Sequence, residues 1–467
     1  MDADLRSIAG ARRAAERAFE AWLAFRATPP ETIDSMVESM ALAIEPEAER
    51  LARLAVEETG YGNVPDKRIK NLFNSLSVAE WLRNVRTLGV LWRDEGEKVA
   101  AIGEPMGVVA ALIPVTNPTS TVIFKALSAV KAGNAIVCAP HPRGVRCGVA
   151  TAAVLARAAE QAGAPPGLVQ CLDEVTIQGT DELMRHRRTS VVMATGGAAM
   201  VRAAYSSGKP TLAVGPGNVP VYVHRSVADD LAEVAERIIV SKSFDYGTAC
   251  VAEQAVIADA PAARGLRHEM KLKGAYFCTS AEAGRLASVL FDRHGAPVVE
   301  NVGQSAKRLA SLAGFDVPPR TRVLVAEPAG VGPGAPLSAE KLAPVLAWYE
   351  AAETGAGIEA AERVLRHGGW GHTAVIHARD PEVVAGYGRV PAGRVLVNTP
   401  AITGGMGFST GLEPSFMLGT GTASGSIVSD NVTALHLINI KRIAWESRPW
   451  RDLHELYGDE PARGGRA

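Results

Sequence analysis

Between residues 106 and 223 the chain alternates short apolar runs with longer helical patterns, and few folds accept that order. MGVVAALIPVT (106–116), NAIVCAP (134–140), GLVQCLD (167–173), TSVVMATGG (189–197) and PTLAVGPGNVPVYV (210–223) read as strands. TSTVIFKALSAVKAG (119–133), RGVRCGVATAAVLARAAEQAG (143–163), TDELMRHR (180–187) and AAMVRAAYSSG (198–208) read as the helices between them. Strands that are apolar on both faces, with Gly or Pro at the junctions, predict a parallel sheet covered on both sides. Right-handed crossovers then build a doubly wound α/β domain of nucleotide-binding type, with ligands beyond the carboxyl ends of the strands.

A second lobe begins near Ser226. VADDLAEVAERIIVSK (227–242) has a helical pattern, and FDYGTACVAEQAVIAD (244–259) is a turn running into a strand. Alternating elements continue to about Asn398, interrupted by the Pro/Gly-rich AEPAGVGPGAPLS (326–338). WRDEGEKVAAIGEP (92–105) and NVTALHLINIKRIAW (431–445) read as isolated strands without a local partner, which makes them candidates for an intersubunit sheet. At the start, Leu5, Ile8, Ala15, Phe19 and Trp22 recur at helical spacing. The expected role of that first helix is packing on the body of the protein, with a detachable docking tag as the alternative.

Charge excludes one partner class. With 49 Lys plus Arg against 50 Asp plus Glu, the 467-residue chain carries a formal charge of −1, without the positive excess that nucleic-acid binding needs. No apolar stretch reaches the 18 or so residues of a bilayer span, and the charged N-terminus lacks a signal-peptide plan, so the expectation is a folded cytoplasmic protein. Five cysteines, an odd number with no CxxC pair, read as reduced thiols. His367, His372 and His377 are spaced by five, which points successive side chains apart, and no metal is expected there.

Cys250 differs from the other cysteines. Cys138, Cys171 and Cys278 lie in apolar strand runs and Cys147 in a helix, where a thiol acts as a small hydrophobe. Cys250 follows the Gly247-Thr248-Ala249 turn, from which a side chain can enter a cleft, and a nucleophile there needs its thiolate stabilised. Asn117, in IPVTNPT at the end of the first parallel strand, sits at the ligand edge and can donate to an oxyanion, although Asn-Pro is also an ordinary turn. GPGNVP (215–220) is not a dinucleotide fingerprint, because Pro220 replaces the third glycine. ATGGAAM (194–200) opens a helix after a strand, as a pyrophosphate site does and as ordinary turns also do.

Taken together and in order, IPVTNPTST, KAGNAIVCAPHPR, GPGNVP, FDYGTACVAEQ, EKLAPVLAWY, GHTAVIH, RVLVNTP and IVSDNV followed by HLINIKR resemble the aldehyde dehydrogenase superfamily, and more closely its CoA-acylating branch. The resemblance runs from about Ala101 to Ala444. It implies a Rossmann-type cofactor domain over residues 1–225, with 92–105 forming part of an oligomerisation ribbon. A catalytic α/β domain over 226–410 carries the cysteine, and 411–467 returns to the cofactor domain with the ribbon strand 431–445. It makes Cys250 the nucleophile, and Asn117 with the Cys250 N–H the oxyanion hole. Pro114, Val115, Thr116, His141, Pro142, Thr195, Gly196, Gly197, Gly215 and Glu340 become the cofactor contacts, with Glu340 on the nicotinamide ribose.

Two departures shape the expected reaction. In LAVGPGN (212–218), Val214 stands where hydrolytic members carry a glutamate that activates water. Loss of such a base slows water attack by about 10²- to 10⁴-fold, so the implied acyl acceptor is coenzyme A. His141 replaces a lysine that contacts the adenosine ribose in many members, which leaves NAD and NADP both open. The implied activity is oxidation of a small aldehyde to acyl-CoA by a homodimer or homotetramer, in the cytoplasm or a protein-shelled compartment within it. The aldehyde is neutral (acetaldehyde, propanal) or anionic (sulfoacetaldehyde, succinate semialdehyde), the latter needing a cation near Cys250; Arg143, Arg202 and His372 are available, with solvated surface positions expected for the two arginines. GFSTGLEPS (407–415) departs from the usual wording of the acetaldehyde enzymes. A hydrolytic enzyme and a non-enzymatic scaffold on the same fold are the rival readings.

Overall fold

The computed structural model describes residues 2–458, and its strands follow the apolar runs closely. β1 (Gly89–Asp94) and β2 (Val99–Pro105) form an antiparallel hairpin. β3 (Val108–Ile113), β4 (Ala135–Pro140), β5 (Val169–Cys171), β6 (Thr189–Thr195) and β7 (Thr211–Val214) form a parallel sheet in the order β5-β4-β3-β6-β7. The chain winds outward from β3 through β4 to β5, then restarts at β6 on the other side. The topological switch therefore lies between β3 and β6. β3 and β4 are buried along their whole length, as strands covered on both faces must be.

A second, seven-stranded parallel sheet follows. It contains β8 (Val219–Val223), β9 (Glu253–Asp259), β10 (Ala275–Phe277), β11 (Val323–Ala326), β12 (Val345–Ala351), β13 (Gly371–His377) and β14 (Ala392–Val397), in the order β10-β11-β12-β9-β8-β13-β14. The run 210–223, expected as one strand, is thus two strands in different sheets. Gly215-Pro216-Gly217-Asn218 carries the chain between them, so the passage comes before the boundary expected at 225. A Cβ on Gly217 would lie 2.2 Å from the Cys250 carbonyl oxygen, so only glycine permits this crossing.

The last strand, β15 (Ile438–Ala444), pairs antiparallel with β2. The two segments expected to lack local partners are therefore partners of each other, and β1-β2-β15 is a sheet within one chain. Residues just before β15 (Met417, Val432, Leu437) are buried in the same core as the five-stranded sheet.

The first helix, Ala3–Phe25, packs on the body through Ser7, Ala11, Ala15, Ala18, Ala21 and Phe25. Leu5 is 56% exposed and Trp22 only half-buried, so the inward face is rotated from the expected one. Small residues win here because they allow the close approach that bulkier ones forbid. A Cβ on Gly179, in the neighbouring Ile177–Arg185 helix, would sit 1.9 Å from Ser7 Oγ.

Candidate active site

The expected cofactor residues gather at the carboxyl edge of the five-stranded sheet. Pro114, Val115 and Thr116 leave β3, Thr195, Gly196 and Gly197 leave β6 on the other side of the switch, His141 and Pro142 leave β4, and Gly215 leaves β7. Two of the helices that start at this edge differ. The Val145–Gln161 helix has its first N–H groups occupied by the Glu58 carboxylate, which accepts from Arg146 N at 2.8 Å and Cys147 N at 2.7 Å. The Ala198–Tyr205 helix has no side-chain cap, and a Cβ on Gly197 would meet nothing within 4 Å. Beside it, Thr195 Oγ1 is buried with no protein partner. Open N–H groups and an orphaned hydroxyl fit a dinucleotide pyrophosphate at the second helix.

Across the junction, a short loop carries Cys250 toward β9. Asp245 and Tyr246, with φ of +47° and +53°, take the left-handed conformation, and Gly247 at +74° follows. The strain is held by buried polar contacts. Asp245 Oδ2 accepts from Lys67 Nζ at 2.9 Å, Lys70 Nζ at 2.6 Å and Thr248 Oγ1 at 2.7 Å, while Asp245 Oδ1 accepts from Asn63 N at 2.9 Å. Asn117, buried at the start of the Pro118–Lys131 helix, donates from Nδ2 to the Thr248 carbonyl at 2.9 Å, two residues from Cys250. Its Oδ1 accepts from Lys70 Nζ at 2.7 Å. Asn117 and the cysteine loop, far apart in sequence, are therefore directly joined.

A model of the "Aldehyde dehydrogenase family" matches residues 1–274, more than half of the chain. The chain belongs to the aldehyde dehydrogenase family. It is 40% identical over 424 residues to aldehyde-alcohol dehydrogenase 2 of Entamoeba histolytica, covering 89% of this chain and 48% of that protein. The chain thus spans about half the length of the first curated relatives it matches. Succinate-semialdehyde dehydrogenase (acetylating) of Clostridium kluyveri matches over almost its full length, at 34% identity across 95% of this chain and 98% of that one. Among solved structures, an acetylating aldehyde dehydrogenase from Geobacillus thermoglucosidasius superposes with a TM-score of 0.94. It is 46% identical, with 96% of this chain and 98% of that chain covered.

Within this aldehyde dehydrogenase architecture, the surroundings of Cys250 correct several expectations. Burial, then the nearby Glu340 carboxylate, push the Cys250 thiol up to about 12, so it rests protonated. Arg394 opposes that rise. Its guanidinium is buried and donates to His372 O, Thr373 Oγ1, Gly419 O and Ser429 O. Arg394 is thus a cation of the cysteine pocket that the sequence reading missed. Arg202 is exposed, and Arg143 is held by Tyr61 Oη at 3.2 Å and the Thr59 carbonyl at 2.8 Å. His372 does stand near the loop, with its ring 3.1 Å from where a Gly217 Cβ would be, but burial and Arg394 drive its pKa down to about 3. It is a neutral imidazole with Nε2 unpartnered, not a cation.

The pocket is also less free of carboxylates than Val214 suggested. Val214 is buried at the end of β7, yet Glu340 enters from the segment before β12 and accepts from Gly217 N at 3.1 Å. Burial outweighs the hydrogen bond and Lys242 and Lys341, raising the Glu340 carboxyl to about 7. The Lys67, Lys70 and Asp245 cluster was missed because a lysine-bearing VPDKRIKNL helix looks solvated when read alone. The i,i+3 spacing of the two lysines was the available signal.

Proposed function

We propose that this chain is a CoA-acylating aldehyde dehydrogenase that converts a small aldehyde, with NAD(P)+ and coenzyme A, into acyl-CoA and reduced cofactor. The observation that carries the proposal is the direct hydrogen bond from Asn117 Nδ2 to Thr248 O. It joins an amide donor at the cofactor edge to the loop of the cysteine, in a chain that carries valine at position 214. The acetylating relatives of matching length favour the same reading.

Each step asks something specific of the chain. Cys250 Sγ attacks the aldehyde carbon as the thiolate, its proton leaving to solvent. The oxyanion that forms takes hydrogen bonds from Asn117 Nδ2 and the Cys250 N–H. A nicotinamide, when bound, accepts the hydride, and Thr195, Gly196, Gly197 and Glu340 are the residues suited to hold its dinucleotide. The Cys250 thioester is then exposed to the sulfur of CoA, which displaces Cys250 Sγ and leaves as acyl-CoA. Both Asn117 and the Cys250 N–H serve again in that second addition.

In this reading the chain works in the cytoplasm as a homodimer or homotetramer. β15 is a sheet edge with Ile440, Ile443 and Trp445 exposed, an arrangement suited to a second copy. The described residues include no helix long and apolar enough to cross a membrane. The substrate reading stays with small aldehydes; Arg394 is the charge best suited to an anionic one.

Recording reduced cofactor from propanal with and without CoA tests the reading. Sustained turnover that requires CoA is expected. Equal turnover without it would favour the hydrolytic enzyme instead, and no turnover with any aldehyde would favour the scaffold.

A further inference from the structure

The two donors assigned above to the oxyanion come from opposite halves of the molecule. Asn117 stands at the end of β3 in the five-stranded sheet, whereas the Cys250 N–H lies on the loop before β9 in the seven-stranded sheet. A site divided between two bodies keeps its geometry only if something fixes both, because a misplacement of about 1 Å costs about 10²-fold in rate. The Lys70 ammonium touches both sides. Nζ donates to Asn117 Oδ1 at 2.7 Å on one, and to Asp245 Oδ2 at 2.6 Å and Thr248 Oγ1 at 3.2 Å on the other. Its three N–H groups have three acceptors, and its side chain is 1% exposed.

The chemistry of the ammonium also settles which end of the Asn117 amide faces where. An ammonium only donates, so the Asn117 atom 2.7 Å away is the carbonyl oxygen, and the NH₂ group is forced to the opposite side. There one N–H meets Thr248 O at 2.9 Å, while the other has only Thr116 Oγ1 at 3.3 Å, a long contact that an oxyanion can replace. A cation on the carbonyl oxygen also polarises the amide and strengthens its N–H donors. The rest of the same helix holds the same turn: Lys67 Nζ donates to Thr116 O at 2.8 Å, and Asn71 Oδ1 accepts from Thr119 Oγ1 at 2.8 Å.

We propose that Lys70 is a positioning residue for acyl transfer, bridging the two halves of the oxyanion site and fixing the Asn117 amide with its NH₂ toward the reacting oxygen. This rests on the reading of Asn117 and Cys250 given above, and its test separates the two. The full chain is mixed with propanal and NAD+ or NADP+ without CoA, and the first-turnover burst of reduced cofactor is timed. Asn117→Ala slows the burst by about 10²- to 10³-fold. Lys70→Met slows it by about tenfold or more, with cofactor affinity, read by fluorescence quenching, unchanged. The double variant is slower than Asn117→Ala alone by clearly less than the factor Lys70→Met costs in the native background, because Lys70 acts mainly through that amide. Lys70→Gln, which keeps a donor toward Asn117 Oδ1, falls between native and Lys70→Met, and takes its place in the cycle if the methionine variant does not fold. Multiplicative slowing in the double variant, or a native burst rate in Lys70→Met, overturns the inference alone. A native burst rate in Asn117→Ala overturns the functional reading and the inference with it.

Discussion

Asp245→Asn is a change of charge with almost no change of shape, and the structure says what it should cost. The native carboxylate is fully buried and meets only donors: two ammonium groups and a hydroxyl on Oδ2, and the Asn63 N–H on Oδ1. An amide in its place points its NH₂ either at the two lysines or at Asn63 N, so donor faces donor in both orientations. The backbone at φ +47° suits Asn as well as Asp, so conformational strain does not enter. Removing one partner of a buried ion pair costs about 3–5 kcal/mol. For 467 residues unfolding as one unit, an entropy of about 2.1 cal/mol/K per residue converts this into a fall of about 3–5 °C in melting temperature.

The pH dependence has a definite sign. Although burial works the other way, Lys67 and Lys70 hold the Asp245 carboxyl below the usual range. Its stabilising charge is therefore present above the unfolded-state pKa of about 3.9, and is lost as pH falls through the lower folded value. Thermal melts of both proteins should differ most near neutral pH and converge in acid. A midpoint within about 1 °C of native at pH 7 would refute the reasoning, because it would mean the two lysines need no counter-charge.

Three further outcomes are expected. Since the Cys250 thiol lies up at about 12, its alkylation by iodoacetamide, followed by peptide mass mapping, should climb about tenfold per pH unit between pH 7 and 10; a plateau below pH 9 contradicts this. At pH 9 the Glu340 carboxyl, at about 7, is ionised, so Glu340→Gln should speed that alkylation several-fold by removing a negative charge that opposes the thiolate; an unchanged rate would mean that burial alone raises the thiol. Gly217→Ala drives a Cβ to 2.2 Å from Cys250 O and should slow acyl-enzyme formation at least about tenfold in a stopped-flow burst; a native rate would show that the crossing segment yields freely.

Much of the architecture was legible because parallel strands buried on both faces leave uninterrupted apolar runs, as β3 and β4 do. The 210–223 run misled because β7 and β8 are equally apolar, and only tertiary pairing decides which sheet each joins. The first helix misled for a related reason: hydrophobicity ranks Leu5 above Ala11 and Ala15, but close packing against the Ile177–Arg185 helix selects the small residues. Cys250 stood out because a glycine turn precedes it, and Asn117 because it ends a strand. Asp245 and Arg394 gave no local sign, and Lys70 only its i,i+3 spacing from Lys67, since a buried charge is recognised chiefly by the partners the fold brings to it.

Mass spectrometry of the intact chain after exposure to propanal and NAD(P)+, without CoA, tests the central claim most directly. The account predicts a gain of one propionyl group, located on the Cys250 peptide, that disappears on adding CoA as propionyl-CoA forms in equal amount. An unmodified Cys250 under conditions where reduced cofactor accumulates, or an adduct that CoA does not remove, would contradict it.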